Sequence, residues 1–227
     1  KRTPVQEFAN IRSNGLKAIT LKDDDELIGV TITDGHQNVI IGTHDGYAVS
    51  FDETTVRSMG RTASGVRGIR LRDDDFVIGF DVLKPDSNVF IITEKGYGKQ
   101  TPAADYPIKG RGGKGIKTAN VTEKNGHLAG LTTVDGQEDI MVMTNQGVMI
   151  RFNIATVSQT GRATLGVRLM RLGDDGQVAT MAKVDPEPEV DETVATDATT
   201  EAPVDDQTVN ADATTAEPTT DSNDSNE

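Results

Sequence analysis

The stretch GRGGKGIKT, residues 110–118, combines four glycines with three basic residues, and Lys109 precedes it. Its glycines fit the GxGxxG spacing of a dinucleotide-binding loop. Such a loop needs a strand before it and a helix after it, because the helix N-terminus holds the phosphates. Pro107 disfavours a strand on the N-terminal side, and residues 116–122 alternate between apolar and polar as a strand does. A nucleotide site is therefore disfavoured.

The same combination of arginine, glycine and a following basic residue recurs about every 50 residues. We call the four segments boxes one to four: IRSNGLKAI (11–19), GRTASGVRGI (60–69), GRGGKGIKT (110–118) and GRATLGVRLM (161–170). Their aligned glycines are Gly15, Gly65, Gly115 and Gly166. A fixed period of this length is typical of repeat proteins, in which each unit stacks on its neighbours.

Two further segments keep the same period. An apolar run follows each box, at DELIGV (25–30), DFVIGF (75–80), GHLAGL (126–131) and GQVATM (176–181). A hairpin pattern with a central glycine comes next, at NVIIGTHDGYAVSF (38–51), NVFIITEKGYGKQT (88–101) and DIMVMTNQGVMIRF (139–152). Each full repeat therefore predicts four short strands joined by turns, and no segment has a long helical period.

Repeats of four strands predict an all-β, propeller-like fold, because each unit buries its apolar face only against its neighbours. Lys1–Pro4 match Lys99–Pro102, at the end of the second hairpin, and the last repeat breaks off after residues 176–184. We therefore expect a piece of a longer array, with about four blades in residues 1–184.

The negative charge of the chain is concentrated at its C-terminus. The whole chain has 36 Asp and Glu against 23 Lys and Arg, but residues 185–227 hold 14 of these acids and no Lys or Arg. Residues 1–184 therefore have a net charge of +1. The tail also lacks aromatic residues, Leu, Ile and Met, so it cannot bury enough apolar surface to offset the entropy of ordering. We expect residues 185–227 to be a disordered acidic tail.

The composition also bears on location. The chain has no cysteine, no run of 18 apolar residues and no charged-then-apolar signal segment. We therefore expect no membrane association, secretion or disulfides, and a cytoplasmic protein.

The boxes, together with KRTPVQEF (1–8), EKGYGKQTPAADYP (94–107) and GRATLGVRLMRLG (161–173), resemble the C-terminal DNA-wrapping domain of the bacterial DNA gyrase A subunit. The resemblance covers nearly all of residues 1–184. It implies a six-bladed β-pinwheel, a propeller variant whose blades exchange strands, with DNA wrapped around a basic rim. The family motif QRRGGKG is absent, and its nearest match is Arg111–Gly115, preceded by Lys109 and Gly110. Box three is therefore assigned to the next-to-last blade of a longer protein.

Recurrence of the boxes predicts a basic stripe that follows a bent duplex. Glycine lets a backbone approach phosphates closely, while Arg and Lys displace condensed counterions. The predicted DNA-binding residues are Arg12, Lys17, Arg61, Arg67, Arg70, Lys109, Arg111, Lys114, Lys117, Arg162, Arg168 and Arg171. The chain has three Tyr, six Phe and no Trp, so few rings are available to stack on bases. Backbone binding with little sequence preference is therefore expected.

Other chemistry is weakly supported. Asp23–Asp25 and Asp73–Asp75 occupy equivalent positions in two repeats, which indicates turns rather than metal ligands. His36, His44 and His127 lack the spacing of a ligand set, so no metal site is predicted. No catalytic residue is assigned, because the resembled enzyme cleaves DNA with a tyrosine of a separate domain.

The resemblance implies that the segment supports ATP-dependent negative supercoiling by a type II DNA topoisomerase, DNA gyrase. Its implied partners are duplex DNA, the gyrase B subunit, and a second A subunit in an A2B2 heterotetramer. ATP and Mg²⁺ would act through the B subunit, and no cofactor is expected in this segment.

Two alternatives remain, besides two roles for the tail. One alternative is the A subunit of topoisomerase IV, whose corresponding domain is expected to have fewer and less regular repeats. The other is a propeller used as a protein-interaction scaffold, which would not need a basic residue in every box. The tail is expected either to compete with DNA for the boxes or to act only as a solubilising segment.

Overall fold

A computed structural model describes residues 1–11 and 13–186 of the chain, which belong to one unit, Lys1–Pro188. The predicted DNA-binding residue Arg12 lies outside the described residues. The predicted disorder of residues 185–227 also lies outside them, apart from Asp185 and Pro186.

Strands and short 3₁₀ turns make up the regular structure of residues 1–11 and 13–186. The strands are β1 (Asn38–Thr43), β2 (Tyr47–Asp52), β3 (Val77–Leu83), β4 (Asn88–Thr93), β5 (Tyr97–Pro102), β6 (Ile116–Lys117), β7 (Leu128–Val134), β8 (Asp139–Thr144), β9 (Met149–Asn153), β10 (Val167–Arg168) and β11 (Val178–Val184). The 3₁₀ turns are Val5–Phe8, Glu53–Thr55, Ala103–Asp105 and Ile154–Thr156. Within the described part of the chain, no helix is long and apolar enough to cross a membrane.

The strands form three antiparallel sheets, ordered β3-β1-β2-β6, β7-β4-β5-β10 and β11-β8-β9. Strands are exchanged between repeats. The hairpin β1–β2 of the first repeat pairs with β3 of the second repeat on one side and with β6 of the third on the other. This exchange confirms the predicted propeller-like β-pinwheel of four-stranded repeats. Four repeats form three sheets in the described residues, because each four-stranded sheet takes strands from three consecutive repeats.

The apolar run of the first repeat departs from the prediction, because residues 25–30 form no strand. Val30 in this run and Ile32 just after it are 82% and 83% exposed. The corresponding strands β3, β7 and β11 each pair with the hairpin of the preceding repeat. No hairpin precedes box one among the described residues, so the run has no strand partner there.

The core lies between neighbouring sheets, and β4 shows why its sequence, NVFIIT, is almost wholly apolar. Successive side chains of a strand point to opposite faces, and β4 is buried on both. Ile91 packs in one cluster with Ile40 of β1, while Phe90 packs in a second cluster with Ile140 of β8. Burial of each such side chain contributes about 1.5–3 kcal/mol. The sheet that contains β4 therefore packs against a neighbouring sheet on each of its two faces.

Turns occupy the aspartate runs, as predicted. Asp24 and Asp74 have φ values of 62° and 59°, in the left-handed region, and Asp175 repeats this conformation with a φ of 58°. Aspartate tolerates this region because its short polar side chain can hydrogen-bond locally. The aspartate runs therefore redirect the chain between the boxes and the apolar runs.

Candidate nucleic-acid interface

Each box turns at a glycine with positive φ. The φ values are 73° at Gly15, 96° at Gly65, 73° at Gly115 and 82° at Gly166. A Cβ atom on Gly115 would lie 2.8 Å from the Ala48 carbonyl oxygen, and one on Gly166 would lie 2.7 Å from that of Gly98. In boxes three and four the glycine therefore allows the loop to cross close to a hairpin strand. The approach to phosphates expected from the sequence stays a prediction.

An arginine of each later box donates a hydrogen bond to the box before it. The Nη1 donors and carbonyl acceptors are Arg61 to Lys17 (3.2 Å), Arg111 to Arg67 (3.3 Å) and Arg162 to Lys117 (3.0 Å). The acceptor is each time the second residue after the box glycine. The four boxes are therefore tied together in chain order by the same contact.

Backbone hydrogen bonds strengthen these connections. Between boxes two and three, the Arg70 N–H donates to the Gly113 carbonyl at 2.8 Å, and the Gly112 N–H donates to the Gly68 carbonyl at 2.5 Å. The Thr164 carbonyl of box four accepts from the N–H of Asn120, just after box three, at 3.1 Å. The boxes thus form one continuous row.

Most of the predicted DNA-binding residues are exposed on this row. The exposed residues are Lys17, Arg67, Arg70, Lys109, Arg111, Lys114, Lys117, Arg168 and Arg171. Arg61 and Arg162 are half-buried, consistent with their hydrogen bonds to the preceding boxes. Most of these side chains therefore face solvent, whereas Arg61 and Arg162 mainly align the boxes. Arg111 does both, because it is exposed and also donates to Arg67.

Two arginines lie against the tyrosines that follow the hairpin glycines. Arg72 places its Cζ 3.2 Å from the ring centroid of Tyr47 and donates from Nη1 to the Lys114 carbonyl at 3.0 Å. Arg168 places its Cζ 5.3 Å from the ring centroid of Tyr97 and donates from Nη2 to the tyrosine hydroxyl at 2.8 Å. Both contacts have cation–π geometry. Arg72 was missed in the sequence because it lies three residues beyond box two, outside the repeated pattern.

A buried lysine, Lys99, donates hydrogen bonds to the backbone and a side chain of box four. Lys99 is 0% exposed, and its Nζ donates to the Gly161 carbonyl at 2.7 Å, to the Arg162 carbonyl and to Thr164 Oγ1 at 3.1 Å. Burial, followed by the positive charge of Arg162, lowers the pKa of Lys99 to about 8. Lys1, the residue that matches Lys99 in the sequence, donates in the same way to the carbonyl of Arg61 in box two. The sequence match between Lys1–Pro4 and Lys99–Pro102 could have indicated that these two lysines make equivalent contacts with their boxes.

Exchanged strands, a period of about 50 residues and a basic loop in every repeat define a β-pinwheel repeat domain. Residues 1–34, 37–84, 87–135 and 138–185 match the family described as DNA gyrase C-terminal domain, beta-propeller. The chain belongs to this family.

Curated relatives agree with the assignment. The chain is 63% identical over 187 residues to the DNA gyrase A subunit of Streptococcus pyogenes serotype M3, a match that covers 82% of this chain and 23% of the relative. It is 64% identical over 184 residues to the corresponding protein of Streptococcus pneumoniae serotype 4, covering 81% and 22%. For the Staphylococcus aureus protein the values are 47% over 209 residues, covering 88% and 24%. The chain thus spans about a quarter of the length of these relatives.

Solved structures share the fold. The C-terminal domain of a DNA topoisomerase IV superimposes with a TM-score of 0.76 at 24% identity, covering 81% of this chain and 58% of that one. A DNA gyrase A C-terminal domain superimposes with a TM-score of 0.69 at 23% identity, covering 75% and 58%. These likenesses establish the pinwheel fold of the chain.

Proposed function

We propose that this chain binds and wraps duplex DNA as the C-terminal part of a DNA gyrase A subunit. The observation that carries the proposal is the continuous row of boxes, in which each box arginine donates to the box before it. Exposed lysines and arginines recur along this row at the period of the repeats. A duplex that follows the row would meet a new group of cations at every repeat.

Electrostatics supplies the binding free energy in this proposal. Each lysine or arginine that neutralises a phosphate releases condensed counterions, and binding then weakens as salt rises. Smooth bending of 20–30 base pairs by 40–90° costs about 1–6 kcal/mol, so one box cannot offset it. Several boxes in a row can, because their phosphate contacts add along the path of the duplex.

The burial of the three tyrosines favours contact with the DNA backbone over base reading. Tyr97 and Tyr106 are 7% and 3% exposed, and Arg72 covers the ring of Tyr47. Stacking on unpaired bases needs exposed rings, so these tyrosines give single-stranded DNA no platform. Contacts to phosphates carry no sequence information directly, and low sequence preference follows.

The wider assembly is part of the same proposal. As a segment of a type II topoisomerase, the chain would act in the cytoplasm, in an A2B2 assembly that includes the gyrase B subunit. The B subunit would hydrolyse ATP with Mg²⁺, and the wrapped DNA would direct strand passage toward negative supercoiling. These roles rest on the gyrase relatives, of which the chain spans about a quarter.

The topoisomerase IV A subunit is the second candidate, because a topoisomerase IV C-terminal domain superimposes with a TM-score of 0.76. That likeness has 24% identity and bears on the fold alone, whereas the gyrase relatives are 47–64% identical. The regular period also favours gyrase. A scaffold that only binds proteins is disfavoured by the basic residues in every box.

Two matched substitutions test DNA binding. Lys114→Ala removes an exposed charge from box three, and Lys84→Ala removes one from the turn after β3. Affinity for a random-sequence duplex is measured across a salt series. We expect Lys114→Ala to flatten the slope of log K against log salt by about 0.9, the value for one lost phosphate contact, and Lys84→Ala to leave it unchanged. Equal slopes for both variants would remove box three from the DNA path.

Wrapping has a separate readout. Closed circular DNA is relaxed by a type I topoisomerase in the presence of the chain and then deproteinised. Wrapped DNA keeps a changed linking number, whereas a protein scaffold or a purely linear contact leaves the relaxed distribution unchanged.

A further inference from the structure

A cluster of possible metal ligands lies at the tip of the first hairpin. His44 and Asp45 are adjacent in the turn between β1 and β2, and His127 directly precedes β7 in the third repeat. One ligand atom from each residue lies within 4.8 Å of the other two. The sequence did not predict this ligand set, because His44 and His127 are far apart in the chain. The stacking of the repeats brings the two imidazoles together.

The contact between His127 and Asp45 does not have hydrogen-bond geometry. His127 Nδ1 lies 3.1 Å from Asp45 Oδ1, yet it is shielded from solvent and makes no hydrogen bond. Two potential ligand atoms this close, with no hydrogen bond between them, are within reach of one shared ion. With Zn²⁺ distances of about 2.0–2.1 Å, a separation of 3.1 Å corresponds to a ligand–metal–ligand angle of about 100°, close to tetrahedral.

His44 is oriented as metal-binding histidines are. Its Nε2 lies 3.1 Å from Oε1 of Glu94, and because a carboxylate only accepts, Nε2 carries the hydrogen. The lone pair is therefore on Nδ1, which lies 3.8 Å from Asp45 Oδ1. Glu94 also accepts from the backbone N–H of His127 through Oε2 at 3.3 Å. A carboxylate that fixes the tautomer of a ligand histidine is the usual outer support of a metal site.

Negative charge at the cluster favours a cation. Asp75 is only 8% exposed, and its Oδ1 accepts from the backbone N–H of Asp45 at 3.0 Å. Its Oδ2 is buried and makes no hydrogen bond. The carboxylates of Asp45 and Glu94 thus lie against the two imidazoles, and the carboxylate of Asp75 lies next to Asp45. A divalent cation would offset this charge, which is costly to bury unpaired.

We propose that His44, Asp45 and His127 bind a first-row transition metal ion such as Zn²⁺. Two imidazole nitrogens and one carboxylate suit Zn²⁺ better than Mg²⁺ or Ca²⁺, which prefer oxygen ligands. Three protein ligands leave a fourth position for water. The ion would join the first hairpin to the third repeat, while Glu94 and Asp75 support it from the second. Its role would be to stabilise the stacked repeats.

One rearrangement accompanies binding. The rings of His44 and His127 stack with a centroid distance of 4.2 Å and an interplanar angle of 2°, so their nitrogens lie side by side rather than converging. Glu94 and the ring of Phe76, whose centroid is 4.4 Å away, hold His44. The side chain of His127 is 45% exposed, and it is the ring that rotates toward the ion.

The test uses the whole 227-residue chain and three ions. Zn²⁺ should raise the unfolding temperature, and Mg²⁺ at the same concentration should not. Co²⁺ should give the strong visible absorption of a tetrahedral site. In His127→Gln the Zn²⁺ stabilisation should disappear and the Zn²⁺ affinity fall by about tenfold or more. His36→Gln, which removes a histidine outside the cluster, should behave as the unsubstituted chain does.

Asp45→Asn provides a second ligand variant, and far-UV circular dichroism without metal establishes that each variant is folded. Asp45→Asn should also lose the stabilisation by Zn²⁺ while it keeps the fold. The acidic tail is present in all variants, so ion binding by the tail cannot distinguish them. Equal Zn²⁺ stabilisation of the ligand variants and the unsubstituted chain would overturn the proposal. Equal stabilisation by Mg²⁺, or the lack of both a Zn²⁺ effect and a Co²⁺ band in the unsubstituted chain, would overturn it as well.

Discussion

Nη1 of Arg162 donates a hydrogen bond to the backbone carbonyl of Lys117 at 3.0 Å and thereby joins box four to box three. Arg61 and Arg111 make the same contact with the boxes before theirs. A side chain that bridges two boxes fixes the position of each relative to the next. The box arginines therefore set the path along which the exposed lysines and arginines are presented.

Arg162→Ala should separate alignment from phosphate binding. Because Arg162 is half-buried and bonded to a carbonyl, we expect the free energy of unfolding to fall by about 1 kcal/mol. The salt slope of DNA binding should stay close to that of the unsubstituted chain. Lys114→Ala should do the reverse, lowering the slope with little change in urea denaturation. A lowered slope with unchanged stability for Arg162→Ala would identify Arg162 as a phosphate contact.

Gly166→Ala should destabilise the chain. Gly166 has a φ of 82°, and an added Cβ would lie 2.7 Å from the Gly98 carbonyl oxygen. The left-handed conformation alone costs an alanine about 1–2 kcal/mol, and relief of the clash adds to it. Gly161→Ala is the matched control, because a Cβ at Gly161 meets no atom within 4 Å. Urea denaturation of both variants provides the comparison, and equal midpoints would contradict the close approach.

The buried Lys99 predicts a dependence of stability on pH. Its pKa is lowered to about 8 from 10.5, so folding disfavours the charged form. Between these two values the unfolded chain binds more protons than the folded chain, and stability must therefore rise with pH. The penalty is fully present below pH 8 and is relieved as pH rises from the folded-state value toward the unfolded-state value.

Urea midpoints at about pH 7 and about pH 9.5, on either side of the folded-state pKa, check this expectation against Lys99→Met. The rise in stability should be smaller in Lys99→Met, because methionine fills a similar volume and does not titrate. An equal rise in both proteins would show that other groups cause it.

The fold was well predicted from the sequence where the repeat pattern was complete. Glycine spacing and paired apolar runs identified the hairpins β1–β2, β4–β5 and β8–β9, because a hairpin carries its own turn signal. The run at residues 25–30 was wrongly predicted as a strand, since its pairing depends on a hairpin from another repeat. Strand formation there is decided by tertiary pairing, which local pattern does not contain.

The candidate site was only partly predictable. Recurrence selected the exposed Lys114 and Lys117 together with the half-buried Arg162, because spacing identifies a residue type and not its hydrogen bonds. No pattern in the sequence brought His44 and His127 together. Their contact arises from the stacking of the first and third repeats, which linear ligand spacing cannot reveal.

Deletion of residues 185–227, of which only Asp185 and Pro186 are among the described residues, tests the role of the acidic tail. A tethered polyanion has a high local concentration beside a basic row, so it should compete with duplex DNA for the boxes. We expect the shortened chain to bind DNA more tightly than the full chain at low salt. The gain should shrink near physiological ionic strength, where the Debye length is about 8 Å. Fluorescence anisotropy with a labelled duplex at several salt concentrations measures the affinity of each chain and its dependence on salt. Equal affinities of the two chains at low salt would show that the tail does not compete with DNA.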